Sequence, residues 1–98
     1  MKLTDYVAEF VAKRGTKKVF LVTGGSIAHM VDSIGRRKKE IGDIDYIVVQ
    51  HEQAAAIAAE NYSRITRTMG VACATSGPGA TNFITGICDC FFDSIPVL

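Results

Sequence analysis

The chain has 98 residues, 48% of them apolar and 21% charged, and a formal net charge of +1. It therefore holds one domain at most, and it lacks the dense basic face that nucleic acid or a charged lipid surface requires. No apolar run reaches the ~18 residues of a membrane span, and Met1-Lys2-Leu3-Thr4-Asp5 has none of the apolar core of a signal peptide.

Thr4 suits a helix N-cap and Asp5 a first turn. Leu3, Tyr6, Val7, Phe10 and Val11 then recur at helical spacing, with Gly15 as the stop. Val19 to Val22 is a short run of strand formers ending at Thr23-Gly24-Gly25-Ser26, where Ser26 is placed to cap a second helix. That helix is predicted from Ile27 to Ile34 and closed by Gly35, which makes Arg36-Arg37-Lys38-Lys39 a solvated helix end or loop. Tyr46 to Val49 reads as a second buried strand, Gln50-His51-Glu52 as its junction, and Gln53 to Ile65 as a third helix. This helix is rich in alanine, so a neighbour approaches it closely, either within the domain or from another subunit. A third strand is predicted from Met69 to Ala74, a tight loop over Thr75-Ser76-Gly77-Pro78-Gly79, and a helix from Ala80 to Phe92. Ile95 to Leu98 begins a fourth strand with no turn or polar tail behind it. An unpaired apolar strand makes a poor terminus, so residues 1–98 are expected to be the front of a longer domain.

Short apolar strands alternating with helices imply an α/β fold, with a parallel sheet and helices on both faces, incomplete at its C-terminal end. Ligands of such sheets collect at the carboxyl ends of the strands. The polar and glycine-rich residues Gly24, Gly25, Glu52, Gly77 and Gly79 are all expected at that edge. Cys73, Cys88 and Cys90 have no framework spacing and are expected to be free, buried thiols in a reducing cytoplasm.

Glu52 sits at the top of a buried strand beside the alanine-rich helix. Poor solvation there is expected to raise its pKa and fit it for proton exchange. The plainer alternative is an acid favoured by the helix dipole. His51-Glu52 does not begin a zinc-protease helix, because Ala55 stands where the second histidine is needed. Gly77-Pro78-Gly79 matches neither phosphate-loop fingerprint: Asn82 replaces the third glycine, no Gly-Lys pair follows, and Pro78 removes an amide donor. It is open to either a close approach of backbone to a flat ligand or a tight turn.

Four segments taken together resemble the acetolactate synthase branch of thiamine-diphosphate-dependent enzymes. They are Val19-Phe20-Leu21-Val22-Thr23-Gly24-Gly25, then His51-Glu52-Gln53-Ala54-Ala55 with Ala58-Ala59-Glu60, then Ala74-Thr75-Ser76-Gly77-Pro78-Gly79-Ala80-Thr81-Asn82, then Asp93-Ser94-Ile95-Pro96-Val97. The resemblance implies that residues 1–98 are part of a pyrimidine-binding domain, with Glu52 as the catalytic residue. Glu52 would hydrogen-bond N1′ of the cofactor's aminopyrimidine and promote loss of the thiazolium C2 proton. Gly24, Gly25, Gly77, Pro78, Gly79 and Asn82 would border the cofactor.

The implied reaction is that of a lyase or carboligase on a 2-keto acid. Magnesium and the diphosphate would be held by a domain with a Gly-Asp-Gly motif, which this chain lacks, since Ile44 follows Gly42-Asp43. The resemblance further implies a homo-oligomer through this domain, and that the 98 residues are inactive alone. Thr23 and Ser26-Ile27-Ala28-His29 depart from the Pro-Gly-Gly pattern common in biosynthetic acetolactate synthases, leaving the reaction within the family open. His29 is either a substrate contact or a helix-surface residue. Two other readings are the pyrimidine-binding chain of a split 2-keto acid decarboxylase and a non-catalytic α/β binding module.

Overall fold

The computed structural model describes residues 1–98. Helix α1 spans Leu3–Lys13 and strand β1 Lys18–Leu21; a single 3-10 turn, Gly25–Ile27, leads into α2, Ala28–Glu40. Strand β2 is Asp45–Val48, helix α3 Glu52–Thr66 and strand β3 Ala72–Cys73, followed by α4, Pro78–Thr81, and α5, Ile84–Phe92. The three strands form a parallel sheet in the order β2-β1-β3. Beyond β3, Gly70 bridges to Val97 in parallel, and the Ala72 amide donates to the Leu98 carbonyl at 3.0 Å. The apolar tail thus pairs as the next strand.

Burial sorts the two faces of the sheet. Val19 and Leu21 of β1 join Ala8 and Val11 of α1, Ile34 of α2, Ile44 and Val71 in one buried cluster. Phe20, pointing the other way as strand alternation requires, meets Tyr62 of α3 edge to face with ring centroids 6.0 Å apart. Helices therefore lie on both faces, as the alternation of elements predicts, but the edge strand β2 is not the buried strand expected: Ile47 and Val48 are exposed. No helix is long and apolar enough to cross a membrane.

Small residues set how closely α3 approaches its neighbours. Ala55, Ala56 and Ala59 are buried. A Cβ at Gly70 would lie 2.1 Å from the Ala59 carbonyl oxygen, and one at Gly86 would lie 2.3 Å from the Ala56 Cβ. The alanine-rich helix is thus closely approached by the segment leading into β3 and by α5 of this domain. On α5, Ile84, Ile87, Phe91 and Phe92 are exposed, by 55–80%.

Several boundaries differ from the sequence reading, each for a local reason. Helix α1 begins at Leu3, because the Asp5 carboxylate accepts the Lys2 amide at 3.3 Å; the Thr4 hydroxyl instead pairs with that of Ser33 at 2.8 Å. Gly15 does stop this helix, at φ +89°. Helix α2 runs through Gly35, carried by the Arg36–Asp32 pair one turn apart, and stops only near Gly42, at φ +79°. The basic cluster therefore lies within its last turns, as the dipole favours. Strand β3 is shorter than Met69 to Ala74. The predicted helix over residues 80–92 is two helices: Pro78 starts the first two residues early, as proline at N1 does, and the Phe83 amide reaches back only three residues, to Ala80. Cys73 is half-buried, Cys90 buried and Cys88 exposed. Residues two apart on a helix stand about 200° apart around it, so Cys88 and Cys90 cannot both face the core.

Candidate functional site

With strand order β2-β1-β3, the connection leaving β1 turns to one side and that leaving β3 to the other. A crevice opens at such a switch point, outside the carboxyl ends of the strands. The loop after β1 carries Gly24, Gly25 and Ser26, and the loop after β3 carries Thr75 to Gly79. Helix α3 starts with Glu52 just past β2. Residues from three distant stretches of sequence meet here.

Glu52 is half-buried. Asn82 Nδ2 donates to its Oε2 at 3.0 Å, and a Cβ at Gly79 would sit 3.4 Å from its Oε1. The Asn82 hydrogen bond holds the carboxyl below the ordinary carboxylate range; its own backbone amide and the neighbouring His51 add to this, while partial burial opposes it. The expectation of a raised pKa is therefore corrected for this chain. A half-exposed carboxylate loses little hydration, and a direct N–H donor outweighs that loss. His51 supplies the helix cap, its Nδ1 accepting the Gln53 amide at 3.1 Å.

The glycines form the walls. A Cβ at Gly24 would lie 2.4 Å from the Thr75 Cβ, and one at Gly79 would lie 2.8 Å from the Thr75 Cγ2. No side chain fits at either position. Gly77 has φ +74° and ψ −129°, a conformation that L-residues avoid. The Cβ positions of Gly77 and Gly25 both face open space, and Pro78 is exposed beside them. The result is an open cradle of backbone with one carboxylate at its edge. Such a cradle has room for a flat ring above Gly25 and Gly77, and Glu52 offers that ring a hydrogen-bond acceptor. Gly42-Asp43 is the surface turn after α2, with Asp43 held by Arg37 at 2.6 and 2.9 Å.

His29 lies exposed on α2. Two clusters escaped the sequence reading. Ser26 caps nothing; its hydroxyl pairs with the Thr75 hydroxyl at 2.7 Å and accepts the Ser76 amide at 3.0 Å. No periodicity signals this contact, because it joins loops 49 residues apart. Two turns further along α3, buried Glu60 accepts Arg64 Nε at 2.8 Å, and Arg64 also pairs with Asp93. A hydrogen bond with Asp89 raises the proton affinity of Glu60. The Glu60–Arg64 spacing of four was a legible helical pair; its reach to Asp89 and Asp93 was not.

Residues 1–98 match the family described as thiamine pyrophosphate enzyme, N-terminal TPP binding domain. The chain is similar to the acetolactate synthase of Arthrospira platensis, at 45% identity over 88% of this chain and 15% of that one. It is also similar to two proteins of Escherichia coli (strain K12). To the acetolactate synthase isozyme 3 large subunit it is 40% identical over 96% of this chain and 16% of that one. To the isozyme 2 large subunit it is 41% identical over 100% and 17%. The chain thus spans about a sixth of the length of these relatives.

Proposed function

The chain belongs to the family of thiamine pyrophosphate enzymes, as their N-terminal TPP binding domain, and on that premise we propose that Glu52 is the residue that activates the cofactor in an acetolactate synthase-like enzyme acting on a 2-keto acid. The observation that carries this reading is the meeting of Glu52 and Asn82 at the rim of the glycine cradle, with Asn82 Nδ2 3.0 Å from Glu52 Oε2. Residues 1–98 form part of the pyrimidine-binding domain. Gly24, Gly25, Gly77, Pro78 and Gly79 let the aminopyrimidine lie against backbone. Asn82 fixes one oxygen of Glu52, and the carboxyl holds and returns a proton at N1′ of the ring.

Bound thiamine diphosphate supplies a thiazolium carbon that adds to the keto carbonyl and accepts the electrons left by departing carbon dioxide. Mg2+ and the diphosphate belong to a domain outside residues 1–98. A homo-oligomeric contact through this domain is supported by the exposed Ile84, Ile87, Phe91 and Phe92 of α5, since apolar surface of this kind marks an interface.

The test is proton–deuterium exchange at C2 of bound cofactor in the enzyme carrying this domain. Glu52→Gln keeps size and hydrogen bonding but cannot exchange the proton, so C2 exchange slows roughly 10²-fold or more. Cofactor affinity falls less than this rate, because the diphosphate is anchored elsewhere. Equal exchange rates in the two proteins remove Glu52 from the mechanism.

A further inference from the structure

We propose that Thr75 is a positioning residue for Glu52, acting through a latch with Ser26 that fixes the separation of the two glycine turns. This rests on the reading of Glu52 above and extends it to Thr75 and Ser26, which tie the two glycine turns together.

The latch is needed because of the topology. Strands β1 and β3 are neighbours, and the Val22 amide donating to the Cys73 carbonyl at 3.2 Å is a late backbone tie between them. Beyond it the two chains leave in opposite directions around the crevice. Side chains take over from there. The Ser26 and Thr75 hydroxyls pair at 2.7 Å, the Ser26 amide donates to Thr75 Oγ1 at 3.4 Å, and the Ser76 amide donates to Ser26 Oγ at 3.0 Å. One loop thus binds the other through both backbone and hydroxyl.

Thr75 also acts by its bulk. Its Cβ lies under Gly24 and its Cγ2 under Gly79, both nearer than any Cβ at those glycines would tolerate. Gly79 borders Glu52 Oε1, and Asn82, three residues on, holds Oε2. A shift of Thr75 therefore moves the segment that borders one oxygen of Glu52 and hydrogen-bonds the other. Threonine alone supplies both parts: serine keeps the hydroxyl and loses the wedge, and valine keeps the wedge and loses the hydroxyl.

Two measurements on the enzyme carrying this domain test the latch, using Thr75→Val, Thr75→Ser, Ser26→Ala and the Glu52→Gln reference. In cofactor-free protein, hydrogen exchange at the Ser26 and Ser76 amides accelerates roughly tenfold in Thr75→Val and Ser26→Ala, because a local opening has lost its partner. Thr75→Ser retains slow exchange. With thiamine diphosphate bound, C2 proton exchange slows roughly tenfold in the Val and Ala variants, the scale of a sub-ångström misplacement, while the melting temperature stays near wild type. Unchanged amide exchange in both variants overturns the latch. So does normal C2 exchange in both variants while Glu52→Gln is slow. Normal C2 exchange in Glu52→Gln itself sinks the underlying reading of Glu52, and the positioning role falls with it. If Thr75→Val fails to fold, Ser26→Ala carries the test alone.

Discussion

Helix α3 carries Glu52 and helix α5 follows Asn82, so the contact between these helices sets the spacing of the site, and it is open to direct perturbation. A Cβ built on Gly86 lies 2.3 Å from the Ala56 Cβ, whereas carbon atoms in contact settle at roughly 3.5–4.0 Å. Gly86→Ala must push the helices apart by more than an ångström. Such overpacking typically costs about 1–3 kcal/mol, partly offset by the ~1 kcal/mol that alanine gains over glycine in a helix interior. Ala56→Gly alone loses that same ~1 kcal/mol plus a small packing term. The double exchange, Gly86→Ala with Ala56→Gly, returns one methyl to the same gap. Its helix-propensity terms cancel, so it is expected within about 1 kcal/mol of wild type, with the two changes coupled by at least that much. Urea unfolding of the four proteins, read from midpoints at constant slope, gives the coupling directly. If Gly86→Ala stabilises by ~1 kcal/mol, as it does at an open helical site, the close approach of α3 and α5 is wrong and the basis for the Glu52–Asn82 spacing goes with it.

Asp5 gives the pH dependence. Its carboxyl is held at about 2, first by the Ser33 hydroxyl at 2.7 Å and further by the Lys2 amide and Arg36. A folded value below the unfolded one of roughly 3.9 means the contribution is complete above that value and is lost as pH falls toward about 2. Unfolding midpoints measured from pH 5 to pH 2 are expected to fall less steeply in Asp5→Asn than in wild type, and parallel curves contradict the assignment. His51→Ala removes the acceptor for the Gln53 amide at 3.1 Å and is expected to cost about 1 kcal/mol, whereas His51→Asn, a good N-cap, recovers most of it. Thermal unfolding distinguishes the two, and equal losses show that the cap contributes nothing.

The layer order and the convergence of the loops were legible because they follow from apolar periodicity and from glycine and proline at element ends. Val19 and Leu21, Gly15, and the pairing of Pro96 to Leu98 beyond β3 all fell where those signals place them. The signals were local, and they failed where a distant partner decided. Gly35 looked like a stop, but α2 continues through it to Glu40, with Arg36 and Asp32 paired across it. Ser26 looked like a cap until the fold brought Thr75 to it. For Glu52 the sequence supplied position and chemistry but the wrong sign of pKa shift. That sign depends on Asn82, thirty residues away, and on how much water the crevice admits.

That sign bears on where the chemistry of the site resides. In this chain Glu52 is held toward its charged form, by Asn82 first, and solvent reaches one side of it. The Asn82 contact orients the carboxylate at the expense of its basicity, so basicity has to come from elsewhere. On the proposed reading the cofactor supplies it, because a ring laid on Gly25 and Gly77 removes the water that favours the charged form. Binding of the ring and the rise in proton affinity are then one event for Glu52. The residue is oriented within its own domain and acquires its working proton affinity only when the crevice is closed.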